Sequence, residues 1–115
     1  MTDPTSSLNE SLEPLLSDFA DDPEMNELVE YFVQQLPEHL DKIATAMSDG
    51  DLSLLETIAH QLKGSGAGYG YAPITASAAD VEDAIRAGAS DVSSLNDQVQ
   101  ALLQLCNRAM AGFNG

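Results

Sequence analysis

The chain contains no tryptophan, one cysteine, 5% aromatic residues, and only four Lys and Arg residues against nineteen Asp and Glu. Each shortage excludes something. The lone Cys106 cannot form an intrachain disulfide, which points to a reducing compartment and so to the cytoplasm. Four cations in a chain of net charge −15 and pI near 4.1 cannot make the basic surface that phosphate backbones or anionic membranes require. No apolar run approaches the roughly 20 residues of a membrane span. The N-terminus, MTDPTSSLNESLEP, lacks the basic-then-apolar order of a signal peptide. Few aromatics and no glycine-bounded β-branched runs argue against a sheet.

What is present is ordinary for a folded helical protein. The chain has 115 residues, 43% of them hydrophobic, enough for one domain with its own core and no metal or disulfide staple. Residues 1–7 are polar, include Pro4, and are expected to form a flexible tail, leaving residues 8–115 as a single domain. Leu8, Leu12, Leu15, Leu16 and Phe19 recur at helical spacing and predict a short N-terminal helix, limited by Pro14. Asp22-Pro23 reads as an N-cap and first helical position. An apolar stripe then runs from Met25 through Leu28, Val29, Phe32, Val33, Leu36, Leu40, Ile43 and Ala44 to Met47, in phase across Pro37. Gly50 suits a left-handed cap and Asp51 starts the next helix, with Leu52, Leu55, Ile58, Ala59 and Leu62 on one face. That helix dissolves into glycines at 64, 66, 68 and 70. Pro73 opens a segment carrying Ile74, Ala78, Val81 and Ile85, closed by Gly88. Ser90 or Asp91 caps a last helix from Val92 to Met110. The fold class is therefore all-α: an antiparallel up-down four-helix bundle with a short additional N-terminal helix.

On a wheel of about 100° per residue, His60 falls about 150° from the centre of the apolar face of its helix. It is expected to face solvent. Glu56 and Thr57 stand one turn before it, Lys63 and Gly64 one turn after. Gly64 weakens a helix by about 1 kcal/mol relative to Ala, a cost that makes sense where another surface must come close. A solvated His beside a Lys is the plainer account of the same pattern, and geometry alone leaves both open.

The string AHQLKGSGAGYG, Ala59 to Gly70, resembles the signature of the histidine-containing phosphotransfer (HPt) domain. That signature has a His, an apolar residue at +2, Lys at +3, Gly at +4, a small residue at +5 and Gly at +10. Here these are His60, Leu62, Lys63, Gly64, Ser65 and Gly70. DPEMNELVEYFVQQLPEHL is similar to the family's long helix before the site and SAADVEDAIRAG to the helix after it, so the resemblance covers about residues 8–112. Glycines at 66 and 68 depart from the family's usual Ala or Ser. The resemblance implies that His60 accepts a phosphoryl group from the aspartyl phosphate of a receiver domain and relays it to another receiver. Lys63 would stabilise the charge and Gly64 would give steric access. It further implies a monomeric phosphoryl carrier, not a kinase, with no cofactor of its own, and Mg²⁺ supplied by the receiver. Its partners would be response-regulator receivers or a hybrid sensor histidine kinase. An imidazole, with an ordinary pKa of about 6.5, is a competent nucleophile near pH 7.

Other readings fare less well. A binding-only helical adaptor of the same fold is the main alternative, disfavoured by the intact His60, Lys63 and Gly64. An acyl carrier would need an Asp-Ser-Leu tripeptide, and a di-metal bundle would need Glu-x-x-His pairs; neither occurs. GSGAGYG lacks the Gly-Lys-Ser/Thr ending of a phosphate loop. His39, at the edge of its stripe, is expected to be structural or solvated. Tyr69 and Tyr71 are expected to pack under the glycine-rich segment, Arg86 to form a surface ion pair, and Cys106 and the methionines at core spacing to lie in the core. A start at Met1 and an end soon after the last helix suggest a free-standing domain.

Overall fold

Residues 13–113 are described in the computed structural model. Four helices account for most of them: α1 (Pro23–Asp49), α2 (Leu52–Ser65), α3 (Ala72–Arg86) and α4 (Asn96–Gly112). Single 3₁₀ turns, Ala67–Tyr69 and Val92–Leu95, lead into α3 and α4. No strand occurs among the described residues. None of the described helices is long and apolar enough to cross a membrane. Each helix packs on the next, and α4 packs back on α1, which closes a four-helix bundle.

The helix boundaries follow from local chemistry. The Asp22 carboxylate accepts the Glu24 amide at 2.9 Å with Pro23 in the first turn. Gly50 ends α1 at φ +68°, where an L side chain would be strained, and sends its amide back to the Ala46 carbonyl. Asp51 then caps α2 through the Leu54 amide at 3.0 Å. Asp91 caps the 3₁₀ turn ahead of α4 by accepting the Ser94 amide, so α4 itself begins five residues later, at Asn96.

The core joins Leu36 and Ile43 of α1 to Leu55, Ile58 and Leu62 of α2, Ile74 and Val81 of α3, and Val99, Leu102 and Cys106 of α4. Each such side chain contributes about 1.5–3 kcal/mol on burial, offset by the entropy of ordering the chain. Burial pushes the Cys106 thiol up to about 12, so it is an inert core group. Met25, Met47 and Met110 are partly buried against this core. Leu28 and Ala44, expected in the α1 stripe, are exposed. They lie at the stripe's edges, and α1 is covered only by the neighbours it packs on, chiefly α2 and α4.

The expected N-terminal helix is corrected only over its described part. Leu15–Phe19 are not helical; they run irregularly into a turn over residues 18–21. Leu8, Leu12 and the expected tail lie outside the described residues. The local reason is that Pro14 removes a donor and the backbone that follows is engaged elsewhere. The Leu15 amide donates to the Arg108 carbonyl at 2.9 Å and the Asp18 amide to the Gly70 carbonyl at 2.9 Å. Arg108 Nε donates to the Glu13 carbonyl at 2.7 Å, and Ser17 Oγ to the Tyr69 carbonyl at 2.7 Å. Tertiary hydrogen bonds therefore replace the i→i−4 ladder that the leucine spacing suggests.

This segment presses on Gly70, whose φ is +88° and whose missing Cβ would collide with Ser17 Oγ and approach the Asp18 amide to 2.8 Å. Gly70→Ala is expected to destabilise the protein by about 1–3 kcal/mol in urea unfolding. Gly64→Ala, at an exposed helical position with nothing within 4 Å of a Cβ, is expected to stabilise by about 1 kcal/mol. Equal effects of the two substitutions would show that the Gly70 contact does not hold the segment.

Candidate functional site

The site is built on the facing sides of α2 and α3. His60 projects from α2 with 67% of its side chain exposed, as the wheel predicts. Opposite it, Glu82 of α3 has no exposed side-chain surface. Its carboxylate oxygens take three side chains. Oε2 is 2.8 Å from His60 Nδ1 and 3.1 Å from an Arg86 Nη; Oε1 accepts from Lys63 Nζ at 2.9 Å. Arg86 Nε also donates to the partly exposed Glu56 at 3.2 Å. The burial of Glu82 is shallow, since the side chains it binds are themselves 40–67% exposed.

These contacts hold the Glu82 carboxyl below the usual carboxylate range. The hydrogen bond from Lys63 is the largest cause, partly opposed by desolvation, and the His60 contact and Arg86 charge add to it. Glu82 is thus ionised at neutral pH and can only accept. The proton between it and His60 therefore sits on Nδ1, and in the neutral imidazole Nε2 is then the nitrogen with the lone pair. His60 Nδ1 to carboxylate is the arrangement that fixes a histidine tautomer and ring orientation. A shallow depression of about 360 Å³ lies beside the ring, bordered by Glu56, Thr57, Gln61, Glu82 and Arg86.

Of the sequence-derived residues, the structure brings His60 and Lys63 onto one carboxylate. Gly64 is exposed one turn from His60, with open space where a side chain would stand. Below it, Thr75 Oγ1 ties off the end of α2, donating to the Lys63 carbonyl at 3.0 Å and accepting the Ala67 amide at 2.7 Å. Phe32 stacks on Tyr69 and Tyr71, at ring distances of 5.0 and 5.5 Å, which anchors the glycine-rich segment on α1. Arg86 forms the expected ion pair. His39 is half-buried and takes no part in the cluster. Its Nδ1 is buried without a hydrogen-bond partner, and its pKa is lowered, first by burial and then by the Lys42 charge, against Glu38. It lines a separate groove with Tyr31, Gln35 and Tyr69. No group of three or more His, Cys, Asp or Glu among the described residues is placed to hold a metal ion.

Glu82 is the residue that the sequence reading missed. The signal was there: it sits four residues after Ala78 and beside Val81, on the buried face of its helix. A carboxylate at such a position needs donors from elsewhere, but the sequence does not say which ones reach it.

The acid limb of stability tests the cluster. A carboxyl whose folded pKa lies below its unfolded value of about 4.5 gives its full contribution above that value. The contribution is lost as pH falls from there through the lowered folded pKa. In paired urea titrations, the stability gap between the parent and Glu82→Gln is expected to shrink steadily as pH falls below about 4.5. A gap that does not change down to pH 3 would mean that Glu82 is not held ionised by its neighbours.

A family model for the Hpt domain matches residues 27–112, which include the whole cluster. Comparisons with curated proteins and with solved structures give no match.

Proposed function

The chain belongs to the Hpt domain family, and on that premise we propose that it is a histidine phosphotransfer protein with His60 as the phosphoacceptor. The observation that carries the reading is the pairing of an exposed imidazole with a buried carboxylate through Nδ1, which leaves Nε2 as the ring nitrogen not engaged by Glu82. In the proposed step Nε2 attacks the phosphorus of an aspartyl phosphate on a receiver domain. The Nε2–P bond forms, the P–O bond to the aspartyl carboxylate breaks, and that carboxylate leaves as an anion. The proton on Nδ1 stays where it is. The phosphorylated ring therefore carries a positive charge, and Glu82 lies against it. Return transfer to a second receiver is the same step reversed. The Mg²⁺ of the reaction belongs to the receiver in this reading, and the chain acts as a phosphoryl carrier with no kinase activity of its own.

Lys63 and Gly64 take complementary parts. Lys63 stands on the same carboxylate as His60 and supplies a cation within reach of the transferring group. Gly64 leaves the approach to Nε2 unobstructed, so a folded partner can close to bonding distance. A binding-only adaptor has no use for an imidazole held in one tautomer beside a cation.

His60→Gln is expected to abolish acid-labile, base-stable phosphorylation by a phosphorylated receiver while helicity by circular dichroism is unchanged. Gly64→Leu is expected to be at least as stable as the parent, since leucine is the better helix former by roughly 1 kcal/mol. It should nonetheless lose transfer from the receiver, because a side chain now occupies the gap. Phosphoramidate, a small donor, should label parent and Gly64→Leu alike. Normal transfer to Gly64→Leu would show that the receiver does not approach across this face.

A further inference from the structure

We propose that Arg86 and Glu56 form a counter-ion exchange: phosphorylation of His60 moves the Arg86 guanidinium from Glu56 onto the phosphoryl oxygens. The inference rests on the phosphotransfer reading and adds a phosphoryl-binding residue and a competing anion to it.

In the resting protein the guanidinium spans two carboxylates, Glu56 at 3.2 Å and Glu82 at 3.1 Å. The Glu82 oxygen it reaches is the one that holds His60 Nδ1. Arg86 is therefore a neighbour of the ring, on the side away from Lys63, which binds the other oxygen. Two cations and two carboxylates make the resting cluster electrically balanced. A phosphoryl group on Nε2 places a dianion beside it, offset only in part by the positive charge that the ring then carries.

The two carboxylates then respond differently. Glu82 has no exposed side-chain surface and remains needed by the charged ring and by Lys63. Glu56 is 38% exposed, lies one turn before His60 on the same face of α2, and has Arg86 as its ion-pair partner. An exposed pair of this kind is weakly held. Phosphate offers the guanidinium a dianion matched to its planar fork of donors, a stronger partner than one screened carboxylate. The open depression that Glu56, His60 and Arg86 share gives the phosphoryl group room on this side. Glu56 thus opposes phosphorylation by its charge and by occupying Arg86, and turns out to solvent once the group arrives.

The experiment is the partition of phosphoryl between His60 and a receiver domain that labels the parent, measured at equilibrium with Mg²⁺ for the full chain and its variants. Arg86→Ala is expected to shift the partition away from His60 by about threefold to tenfold. Glu56→Gln is expected to shift it toward His60 by a smaller factor, about twofold to threefold. If Arg86 acts only by bracing the fold through Glu56, both variants shift the partition in the same direction, and the proposal is overturned. Shifts smaller than these in both variants overturn it as well. Should Arg86→Ala not fold, Arg86→Lys, which keeps the charge and loses the fork, takes its place with the same sign expected. A second arm separates this inference from the relay reading. If phosphoramidate labels His60 but no receiver does, the relay reading fails. The exchange is then judged by the Arg86 Nε–H resonance, which must move on labelling in the parent and must already be displaced in unlabelled Glu56→Gln. Labelling by neither donor overturns both.

Discussion

A single carboxylate organises this site. Glu82 offers two oxygens, and three side chains from two helices reach them. His60 comes from mid-α2, Lys63 from one turn later, and Arg86 from one turn beyond Glu82 on α3. Remove the carboxylate and each loses its orientation: the imidazole is free to turn, and the two cations have no common point. The constraint also runs the other way. A carboxylate without exposed surface, left unpaired, is strongly destabilising, so the donors must be in place for α3 to pack here at all. Buried ion pairs are often no better for stability than well-packed apolar groups. The arrangement is therefore better understood by what it does to His60, which is to fix Nδ1 as a donor and leave Nε2 unengaged by the carboxylate.

The charge economy of the chain sharpens this point. Its net charge is −15 and it has four basic side chains, two of which converge on Glu82. The acidic surface elsewhere disfavours anions, whereas the cluster pairs its carboxylates with cations. Lys42 and Arg108 are engaged in other ways, with Glu38 at 3.5 Å and with the Glu13 carbonyl.

The rest of the scaffold keeps the end of α2 rigid where side chains are sparse. Thr75 bonds to both sides of the helix terminus, and Phe32 carries Tyr69 and Tyr71 on its ring. The N-terminal segment fastens Tyr69 and Gly70 from the other side. Four glycines within seven residues would otherwise leave this stretch without an ordered path. The open face at Gly64 is therefore a gap beside a segment that these contacts tie down.

Local chemistry written along the chain determined the helices, their caps and the outward direction of His60. Apolar spacing at 3.6 residues, Asp22-Pro23, Gly50-Asp51 and the step from His60 to Lys63 and Gly64 all act within one or two helical turns, so they are legible without knowing what packs where. The family signature lies in the same short range. Tertiary structure alone decided three things. It pulled Leu15–Phe19 out of a helix, because carbonyls at Arg108 and Gly70, far along the chain, accept its amides. It left Leu28 and Ala44 outside, because coverage depends on neighbouring helices. It gave Glu82 its meaning, since the partners of a buried carboxylate on α3 stand 19 and 22 residues away on α2 as well as one turn along. Periodicity reports which face of a helix is covered; only the docking of one helix on another reports which charges meet there.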